Sequence, residues 1–354
     1  MTTTIDEAKL DEFVGRFAQD LGAVLHAATV LVGDKLGLYQ ALGDGQSVTP
    51  AELAEQTGYD ARYLAEWLSA QAASDYVSYD AETGTFRLPP EQALALTSED
   101  NPLFAPGGFQ VAASNIKDVD LLAEAIRTGR GVAWGEHHKD LFAGTERFFK
   151  PGYIANLVDS WLPALDDVVV KLEGGARVAD IGCGHGASTI LMAQAFPRST
   201  FAGFDYHEPS IEAARKAATE AGVQDRCSFE VATADDYPGS DYDLVTFFDC
   251  LHDMGDPVGA AAHVRQSLAE DGTWMLVEPR AGDTLEENLN PVGRIFYSAS
   301  TMICVPVSRS QEVDRALGAQ AGPARLREVA TEGGFGRFRE AVETPFNQVY
   351  EVRR

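Results

Sequence analysis

A glycine-rich turn is the segment of this chain best suited to chemistry. Gly182, Gly184 and Gly186 recur at every second position, after a short apolar run and before a run with helical character. Glycine lets the backbone of a turn approach a ligand closely, and amides at the start of the next helix stay free to bind it. Asp205 follows Gly184 by 21 residues, close to the ~20 expected of an acid that binds ribose hydroxyls. These residues predict a nucleoside site.

The spacing of the glycines separates two classes of ligand. A dinucleotide fingerprint has the form G-x-G-x-x-G and binds a diphosphate at the helix start. Here the spacing is G-x-G-x-G, and Asp180 stands just before the turn. A carboxylate at that place disfavours a diphosphate and suits a ligand with an ammonium and a sulfonium. S-adenosylmethionine (SAM) is such a ligand, so an NAD-dependent oxidoreductase is the disfavoured alternative.

The turn belongs to a stretch of alternating strand and helix patterns. From Arg177 onward, short apolar runs rich in branched residues alternate with longer helical runs. This alternation predicts an α/β fold with a parallel sheet covered by helices on both faces. In such sheets a ligand binds outside the carboxyl ends of the strands, at the point where the strand order reverses.

The first hundred residues have a different pattern. An apolar helical segment runs from Phe13 to Ala41, with a break expected near Gly33. Thr49, Pro50 and Glu52 form a helix start with a capping box. A second helix start at Asp60 and two short strands around Gly84 follow. Helix, turn, helix and hairpin is the order of a winged helix.

Charge argues against DNA binding by this region. Residues 1–100 contain five basic and seventeen acidic residues, a net charge of −12, and the predicted recognition helix carries Arg62 with Glu66 one turn later. Non-specific DNA affinity depends on clustered Lys and Arg that neutralise phosphates. A module for dimerisation or for covering the substrate is the favoured interpretation, and a non-catalytic SAM-binding winged-helix regulator is the alternative.

The segment around the glycine turn resembles motif I of the class I SAM-dependent methyltransferases. The match rests on residues 178–188, Asp205, Thr233-Ala234 and Asp249, and covers roughly the last 180 residues. With its winged-helix-like front, the chain is similar to a group of actinobacterial SAM methyltransferases and, more distantly, to plant-type small-molecule O-methyltransferases. The resemblance implies a Rossmann-like, seven-stranded domain over 171–354. Before it come a mostly helical winged-helix-like domain over 1–100 and a helical linker and pocket wall over 101–170.

The resemblance also implies a set of cofactor residues. Gly182 and Gly184 would line the methionine part of SAM, and Asp180 would help to hold the loop and the amino group. Asp205 would bind the ribose. Thr233 and Ala234 would lie beside the adenine, although Thr233 stands where many relatives have Asp, so Asp235 or Asp236 is a possible substitute. The further cofactor residues expected are Tyr153, Cys183, Tyr206 and Asp249.

A histidine after the fourth predicted strand is the candidate for proton transfer. The segment from Leu251 to Asp256 resembles the L-H-D-W-x-D segment of the O-methyltransferases, with Met254 in place of Trp. In those enzymes this histidine is the general base, so the resemblance assigns His252 to that role, with Asp253 beside it and Glu278 in support. An imidazole with a pKa near neutrality suits the deprotonation of a phenol or hydroxyl. The alternatives are a His-Asp pair that only caps a helix, and N- or C-methylation by proximity alone.

Aromatic and apolar segments outside the motifs predict the acceptor pocket. The linker over 101–170 is rich in aromatic residues and contains His137 and His138. No metal is expected there, since adjacent histidines point in different directions and the i, i+4 pair is absent. The stretch after Glu278 is longer than a simple strand–helix connection. The substrate residues expected from the two segments are Trp134, His137, Phe296, Tyr297 and Met302.

Composition restricts the partners and the compartment. The 354 residues exceed what one hydrophobic core usually supports, and their net charge is −26. Such a protein repels phosphate backbones and anionic lipid surfaces. The N-terminus lacks the features of a signal peptide, and four widely spaced cysteines suggest reduced thiols. The expectation is a cytoplasmic homodimer that acts on a small molecule, with no nucleic-acid or membrane partner.

Overall fold

A computed structural model describes residues 5–354. The chain divides into two compact units, one up to Ala113 and the other from Ser114 onward. The division falls within a helix, α6. The elements up to that point are α1 (Glu7–Lys35), α2 (Leu38–Ala41), α3 (Pro50–Thr57), α4 (Ala61–Ala73), β1 (Ser78–Asp80), β2 (Thr85–Arg87), α5 (Pro90–Leu96) and α6 (Pro106–Lys117).

The first unit contains the winged-helix order predicted from its caps and turn. The Thr49 side chain accepts a hydrogen bond from the Glu52 amide, and the Glu52 carboxylate accepts one from the Thr49 amide, so the capping box begins α3. Asp60 caps α4. Strands β1 and β2 pair in antiparallel fashion. Arg62, the one basic residue of α4, forms an ion pair with Glu66 at 2.6 Å, so its charge is compensated within its own helix.

The break expected near Gly33 is wrong. Helix α1 continues to Lys35, and the chain turns at Gly37, which has φ +68°. Gly33 is buried inside the helix, where a Cβ would lie 2.5 Å from the Trp67 ring and 2.8 Å from the Tyr39 ring. The glycine is therefore required by close packing against two aromatic side chains and not by a change of backbone direction.

The second unit begins with helices and continues as alternating strands and helices. Among residues 5–354, no helix is both long enough and apolar enough to cross a bilayer. The remaining elements are α7 (Val119–Thr128), α8 (Asp140–Asn156), α9 (Val168–Gly174), β3 (Arg177–Ile181), α10 (Ala187–Ala195), β4 (Thr200–Asp205), α11 (Glu208–Glu220), β5 (Cys227–Val231), β6 (Tyr242–Phe248), α12 (Pro257–Ser267), β7 (Leu268–Pro279), α13 (Pro291–Met302), α14 (Cys304–Arg309), α15 (Pro323–Glu332), β8 (Arg337–Glu343) and β9 (Asn347–Arg353).

Seven strands form one sheet in the order β5-β4-β3-β6-β7-β9-β8. The pairs from β5 to β7 are parallel, whereas β9 is antiparallel to both β7 and β8. The chain moves outward from β3 to β5 and then returns to place β6 on the other side of β3. This reversal opens a crevice at the carboxyl ends of β3, β4 and β6, which is where a ligand binds in such folds.

Helices cover both faces of the sheet, as the alternation predicted. Strand residues therefore contribute to two cores in turn, because successive side chains of a strand point to opposite faces. In β6, Leu244 and Phe248 belong to one buried cluster, while Val245 and Phe247 belong to the other. With both faces buried, the central strands are fixed in register, and so are the residues that follow their carboxyl ends.

Candidate active site

The glycine turn follows β3 with three residues in the left-handed region. Gly182, Gly184 and Gly186 have φ of +69°, +52° and +80°. A Cβ at Gly182 would lie 2.9 Å from the Cys250 sulfur, so this position excludes any side chain. A Cβ at Gly184 would meet nothing within 4 Å, so its outer side faces open space. The turn is thus packed on one side and open on the other, as a ligand-binding turn requires.

Asp180 supports this turn from beneath. Its Oδ2 accepts hydrogen bonds from the hydroxyls of Ser188 at 2.7 Å and Thr189 at 2.5 Å, and its Oδ1 accepts one from Thr246 at 3.0 Å. The residue is 1% exposed, and burial raises the pKa of its carboxyl to about 6, against the three hydroxyl donors. Asp180 therefore joins the start of α10 to β6. It lies below the cavity described next and is absent from that cavity's described lining.

A cavity of about 530 Å³ opens above the turn, within the second unit. Its lining comes from the turns after β3, β4, β5 and β6, from α8, and from a segment after α14. Of the predicted cofactor residues, it includes Tyr153, Gly182, Cys183, Gly184, Asp205, Tyr206, Thr233, Ala234 and Asp249. The crevice predicted from strand order thus coincides with the residues predicted from the motifs.

Asp205 connects the ends of two strands. Its Oδ2 accepts a hydrogen bond from the Gly184 amide at 3.0 Å, and its Oδ1 accepts one from the His207 amide at 2.8 Å. Burial raises the pKa of this carboxyl, although the two amides and two nearby histidines oppose the shift. Each carboxylate oxygen has a second lone pair, so Asp205 can accept two further hydrogen bonds from a diol.

The turn after β5 forms the side of the cavity where the resemblance places adenine. Thr233 and Ala234 line it, and so does Asp235. Asp236 is absent from the described lining; its amide donates instead to the Thr233 carbonyl at 3.3 Å. Of the two acids considered for this side, the structure thus brings Asp235 to the cavity.

Helix α8 and the short 3-10 turn Trp134–Glu136 form a cover on the cavity and line it together with the turns at the carboxyl ends of the strands. Glu146 of α8 pairs with Nδ1 of His185 at 2.7 Å. The Phe142 ring packs against the His207 ring, with centroids 4.8 Å apart, and against Trp134 at 5.4 Å. The cover therefore contacts both the turn after β3 and the turn after β4.

Asp249 directly follows β6, has φ +52° and carries an unsatisfied oxygen. Its Oδ1 accepts a hydrogen bond from Nδ2 of Asn347 at 2.7 Å, whereas its Oδ2 is buried without a hydrogen-bond partner. Burial raises the pKa of Asp249 well above its ordinary value, and the Glu278 carboxylate adds to the shift. A buried acceptor without a partner costs about 1–3 kcal/mol, so a donor or cation bound here would recover that energy.

His252 and Glu278 form a buried pair beside this cavity. Nδ1 of His252 lies 2.5 Å from Oε2 of Glu278, while Oε1 of Glu278 accepts a hydrogen bond from the Leu251 amide at 3.0 Å. The Cys304 thiol faces the ring. Burial alone would lower the pKa of His252, but Glu278 and Cys304 outweigh it and raise this pKa well above the ordinary value. Strand β7 fixes Glu278, which in turn fixes the ring.

Asp253 lines the cavity directly, one residue after His252. Both lie in the 3-10 turn Leu251–Asp253, and helix α12 begins only at Pro257 with Asp256 as its cap. The idea that a His-Asp pair merely caps this helix is therefore wrong, because Asp256 accepts the hydrogen bond from the Gly259 amide. Burial raises the pKa of Asp253 to about 7, with His252 opposing the shift.

The expected substrate residues lie in different environments. Trp134 lines the cavity. His137 is buried, its Nδ1 lies 3.1 Å from Asp118, and its Nε2 has no partner. Three others are absent from the described cavity lining: Phe296 is buried at 4% exposure, Tyr297 is 36% exposed, and Met302 packs on a small cluster around Leu122. Within residues 5–354, no group of three or more His, Cys, Asp or Glu side chains is arranged to hold a metal ion.

Several lining residues were not predicted as site residues. Phe142, Thr145, Glu146 and Phe149 come from α8, where the aromatic-rich composition indicated a pocket wall. The segment 311–313 comes after α14 and lines the cavity as well. Gln311 holds it in place, since its Oε1 accepts a hydrogen bond from the Gly255 amide at 2.8 Å.

The residues present fit SAM. The open side of Gly184 leaves room for the methionine part, and Asp205 can accept from the ribose diol. The unsatisfied oxygen of Asp249 suits a cationic group. The cavity volume falls in the range of small-molecule and cofactor sites, about 300–1,000 Å³.

Two family models match the chain. A methyltransferase domain model covers residues 172–333, and an Rv2258c-like winged HTH domain model covers residues 25–98. The first contains the glycine turn, the cavity residues of β4 to β6, and the His252–Glu278 pair. The second contains the capping box and the hairpin.

Similar proteins include named methyltransferases. The 27-O-demethylrifamycin SV methyltransferase of Amycolatopsis mediterranei is 38% identical over 90 residues, which are 25% of this chain and 33% of that protein. This chain therefore matches only about a third of that relative's length. Human N-acetylserotonin methyltransferase in complex with SAM has a TM-score of 0.70 at 16% identity, covering 100% of this chain and 99% of that one.

A second solved structure has the same fold. An O-methyltransferase family protein from Burkholderia thailandensis has a TM-score of 0.68 at 18% identity, with 99% of both chains covered. The fold is thus shared with both of these solved structures. With the matched models and the SAM-compatible cavity, residues 172–333 of this chain are a methyltransferase domain of the SAM-binding class, preceded by a winged helix-turn-helix domain over residues 25–98.

Proposed function

We propose that this protein transfers the methyl group of SAM to an oxygen of a small molecule, with His252 as the general base. The observation that carries the proposal is the buried His252–Glu278 pair at the carboxyl edge of the sheet, beside the cavity that fits SAM. Methyl transfer is an in-line displacement at the sulfonium methyl. The enzyme must therefore align the acceptor with the methyl and remove the acceptor's proton.

Glu278 positions the base with both of its oxygens. Oε2 binds Nδ1 of His252, and Oε1 accepts a hydrogen bond from the amide of the preceding residue, Leu251. Glu278 therefore holds both the imidazole ring and the backbone that carries it. With Nδ1 directed at Glu278, Nε2 is the nitrogen left to receive a proton. The neighbouring carboxylate also stabilises the imidazolium that forms when the ring takes this proton.

The acceptor is proposed to approach from the side of α13 and α14. The Cys304 thiol faces His252 there. His137 offers a buried Nε2 without a hydrogen-bond partner, and Asp118 orients its ring through Nδ1. Trp134 forms the wall between His137 and the SAM cavity, with ring centroids 6.5 Å apart. We therefore assign His137 to a polar group of the acceptor and Trp134 to its apolar body.

An assay with SAM and a panel of phenols, hydroxylated polyketides and amines tests the proposed reaction. We expect S-adenosylhomocysteine (SAH) to form with a hydroxylated acceptor, and mass spectrometry to place the new methyl on oxygen. A structure with SAH and that acceptor should then show a polar acceptor atom within hydrogen-bonding distance of Nε2 of His137. Methylation confined to amines, or SAM binding without turnover on any compound, would contradict the proposed reaction.

We also propose that the protein is a homodimer joined through α1. Leu10, Val14, Phe17, Leu21 and Val24 follow one another at steps of four and three residues, and each is 47–56% exposed. This is the a/d spacing of a coiled-coil seam. Of the α1 residues, only Val30 and Gly33 are buried. A second copy of α1 is the proposed occupant of this seam, because it supplies the same spacing from Leu10 to Val24, over about 21 Å.

Charge on the seam should separate the dimer. In a Phe17→Lys/Leu21→Lys variant, two lysines from each chain would meet at the centre of the seam and remain unpaired there. Light scattering should report twice the 38.1 kDa chain mass for the parent protein and the single-chain mass for the variant. Gln19→Lys places a single lysine on the opposite side of α1 and should remain dimeric. A parent protein with the mass of one chain would refute the dimer.

A further inference from the structure

Almost all of the side chains in the lining of the SAM cavity that can carry a charge near neutral pH are carboxylates. Among the described lining residues there is no Lys or Arg, and the one basic side chain, His185, is already paired with Glu146 at 2.7 Å. Seven carboxylates share the lining: Glu146, Asp205, Asp235, Asp249, Asp253, Asp256 and Glu312. Without a bound cation, negative charges at such density oppose one another, and a buried carboxylate is then favoured in its protonated form.

Among the described lining residues, Asp249 is the one carboxylate with a buried oxygen that has no hydrogen-bond partner. Asn347 donates a hydrogen bond to its Oδ1, and the Tyr153 hydroxyl faces the carboxylate. The charged groups nearest to it are Glu278 on β7 and His252 in its own segment, and these two oppose each other. By contrast, the Asp205 carboxylate accepts hydrogen bonds from two backbone amides. The Asp256 carboxylate accepts one from an amide in the first turn of α12.

We propose that Asp249 holds a proton when the cavity contains no cation, releases it when the sulfonium of SAM binds, and regains one when methyl transfer removes the sulfonium charge. The inference rests on the proposed function, because it assumes that SAM occupies this cavity. It adds that the cavity selects its ligand by charge, favouring the cationic SAM over the product SAH. It also predicts that the proton of the overall reaction leaves the protein when SAM binds.

Atoms and charges balance in this scheme. In the first step the neutral acid binds SAM and loses one proton to solvent, so that carboxylate and sulfonium compensate each other. In the second step the S–CH3 bond breaks and its electron pair stays on sulfur, while the acceptor oxygen forms the O–CH3 bond. The proton of the acceptor passes to His252 and from there to the Asp249 carboxylate, which no longer faces the sulfonium, so that His252 is neutral again for the next cycle. One proton is released per turnover, as the reaction requires.

Burial raises the pKa of Asp249 well above its usual value, and that of neighbouring Asp253 to about 7, in agreement with a protonated cavity near neutral pH. Below these pKa values a proton competes with the sulfonium of SAM for the carboxylate. The affinity for SAM relative to the affinity for SAH should therefore rise with pH. The ratio changes by at most tenfold per pH unit for one linked proton, and it levels off once the empty site is ionised.

Calorimetry in two buffers of different ionisation enthalpy, phosphate and Tris, tests the inference at pH 7. We expect binding of SAM to release about 0.3–1 proton more than binding of SAH. Sinefungin, which carries an amine in place of the sulfonium methyl, should behave like SAM. Equal proton release by SAM and SAH would overturn the inference while leaving the proposed function intact, whereas failure of both to bind would overturn the proposed function as well.

Two variants test whether Asp249 is the carboxylate that releases the proton. Asp249→Asn should bind SAH but lose the difference in proton release between SAM and SAH. Glu312→Gln removes the same charge from an exposed position of the lining and should keep the difference. A full difference in Asp249→Asn would refute the assignment to Asp249. If that variant does not fold, the comparison of SAM, sinefungin and SAH on the parent protein still decides whether the cavity responds to ligand charge.

Discussion

Replacing His252 with alanine is expected to lower kcat by about a thousandfold, within the 10²–10⁴ range of general acid–base catalysis. The variant loses the group that receives the acceptor's proton. It keeps the glycine turn and Asp205, and calorimetry should therefore find SAH affinity unchanged within about twofold. The measurement is kcat at saturating SAM together with the dissociation constant of SAH. Full turnover in the variant would show that the acceptor needs no base and would favour transfer by proximity alone.

Glu278→Gln separates a base from a structural histidine. Glu278 raises the pKa of His252, whereas burial lowers it. In the parent protein the base is free only above its raised pKa, so kcat/KM should increase with pH into the alkaline range. Glutamine keeps a hydrogen-bond acceptor but removes the charge, and the rise should therefore move to lower pH while the maximal rate falls. A purely structural pair would change stability without moving this pH profile.

The second large effect is expected at Asp205. Asp205→Ala should weaken SAM and SAH binding by at least about a hundredfold, because hydrogen bonds to a charged group contribute about 1.5–3 kcal/mol each and a diol makes two. The variant also leaves the Gly184 and His207 amides without their acceptor, which loosens the glycine turn. Asp225→Ala removes an exposed acid from the same unit and serves as the matched control. Equal SAM affinity in the two variants would refute the nucleoside site.

The sequence predicted those parts of the site whose geometry is local. The glycine turn directly follows β3, Asp205 is the last residue of β4, and the burial of those strands fixes where they end. His252 and Glu278 were predicted through the resemblance, and the structure joins them by a 2.5 Å contact. Asp180 was expected to hold both the loop and the amino group of SAM. The structure shows the first role, through three hydroxyl donors, and leaves the residue outside the described lining.

The parts that the sequence missed depend on distant contacts. Asp118, just before α7, becomes the partner of His137 only because the chain folds back over the 19 residues that contain α7. The segment 311–313 reaches the cavity after two helices and is held there by Gln311 binding the Gly255 amide. No periodicity marks such a segment. Phe296, expected in the substrate pocket, stays a prediction: it is buried in α13, and apolar spacing does not distinguish a core residue from one that lines a pocket.

The cover formed by α8 also affects how fast the cofactor can exchange. It contacts one turn through Glu146 and His185, and another through Phe142 and His207. We expect both contacts to separate when SAH leaves and the next SAM enters. Opening of such covers often limits turnover when chemistry is fast. A first round of product should then appear rapidly and be followed by a slower steady rate, and the residence time of the spent cofactor would determine the throughput of the enzyme.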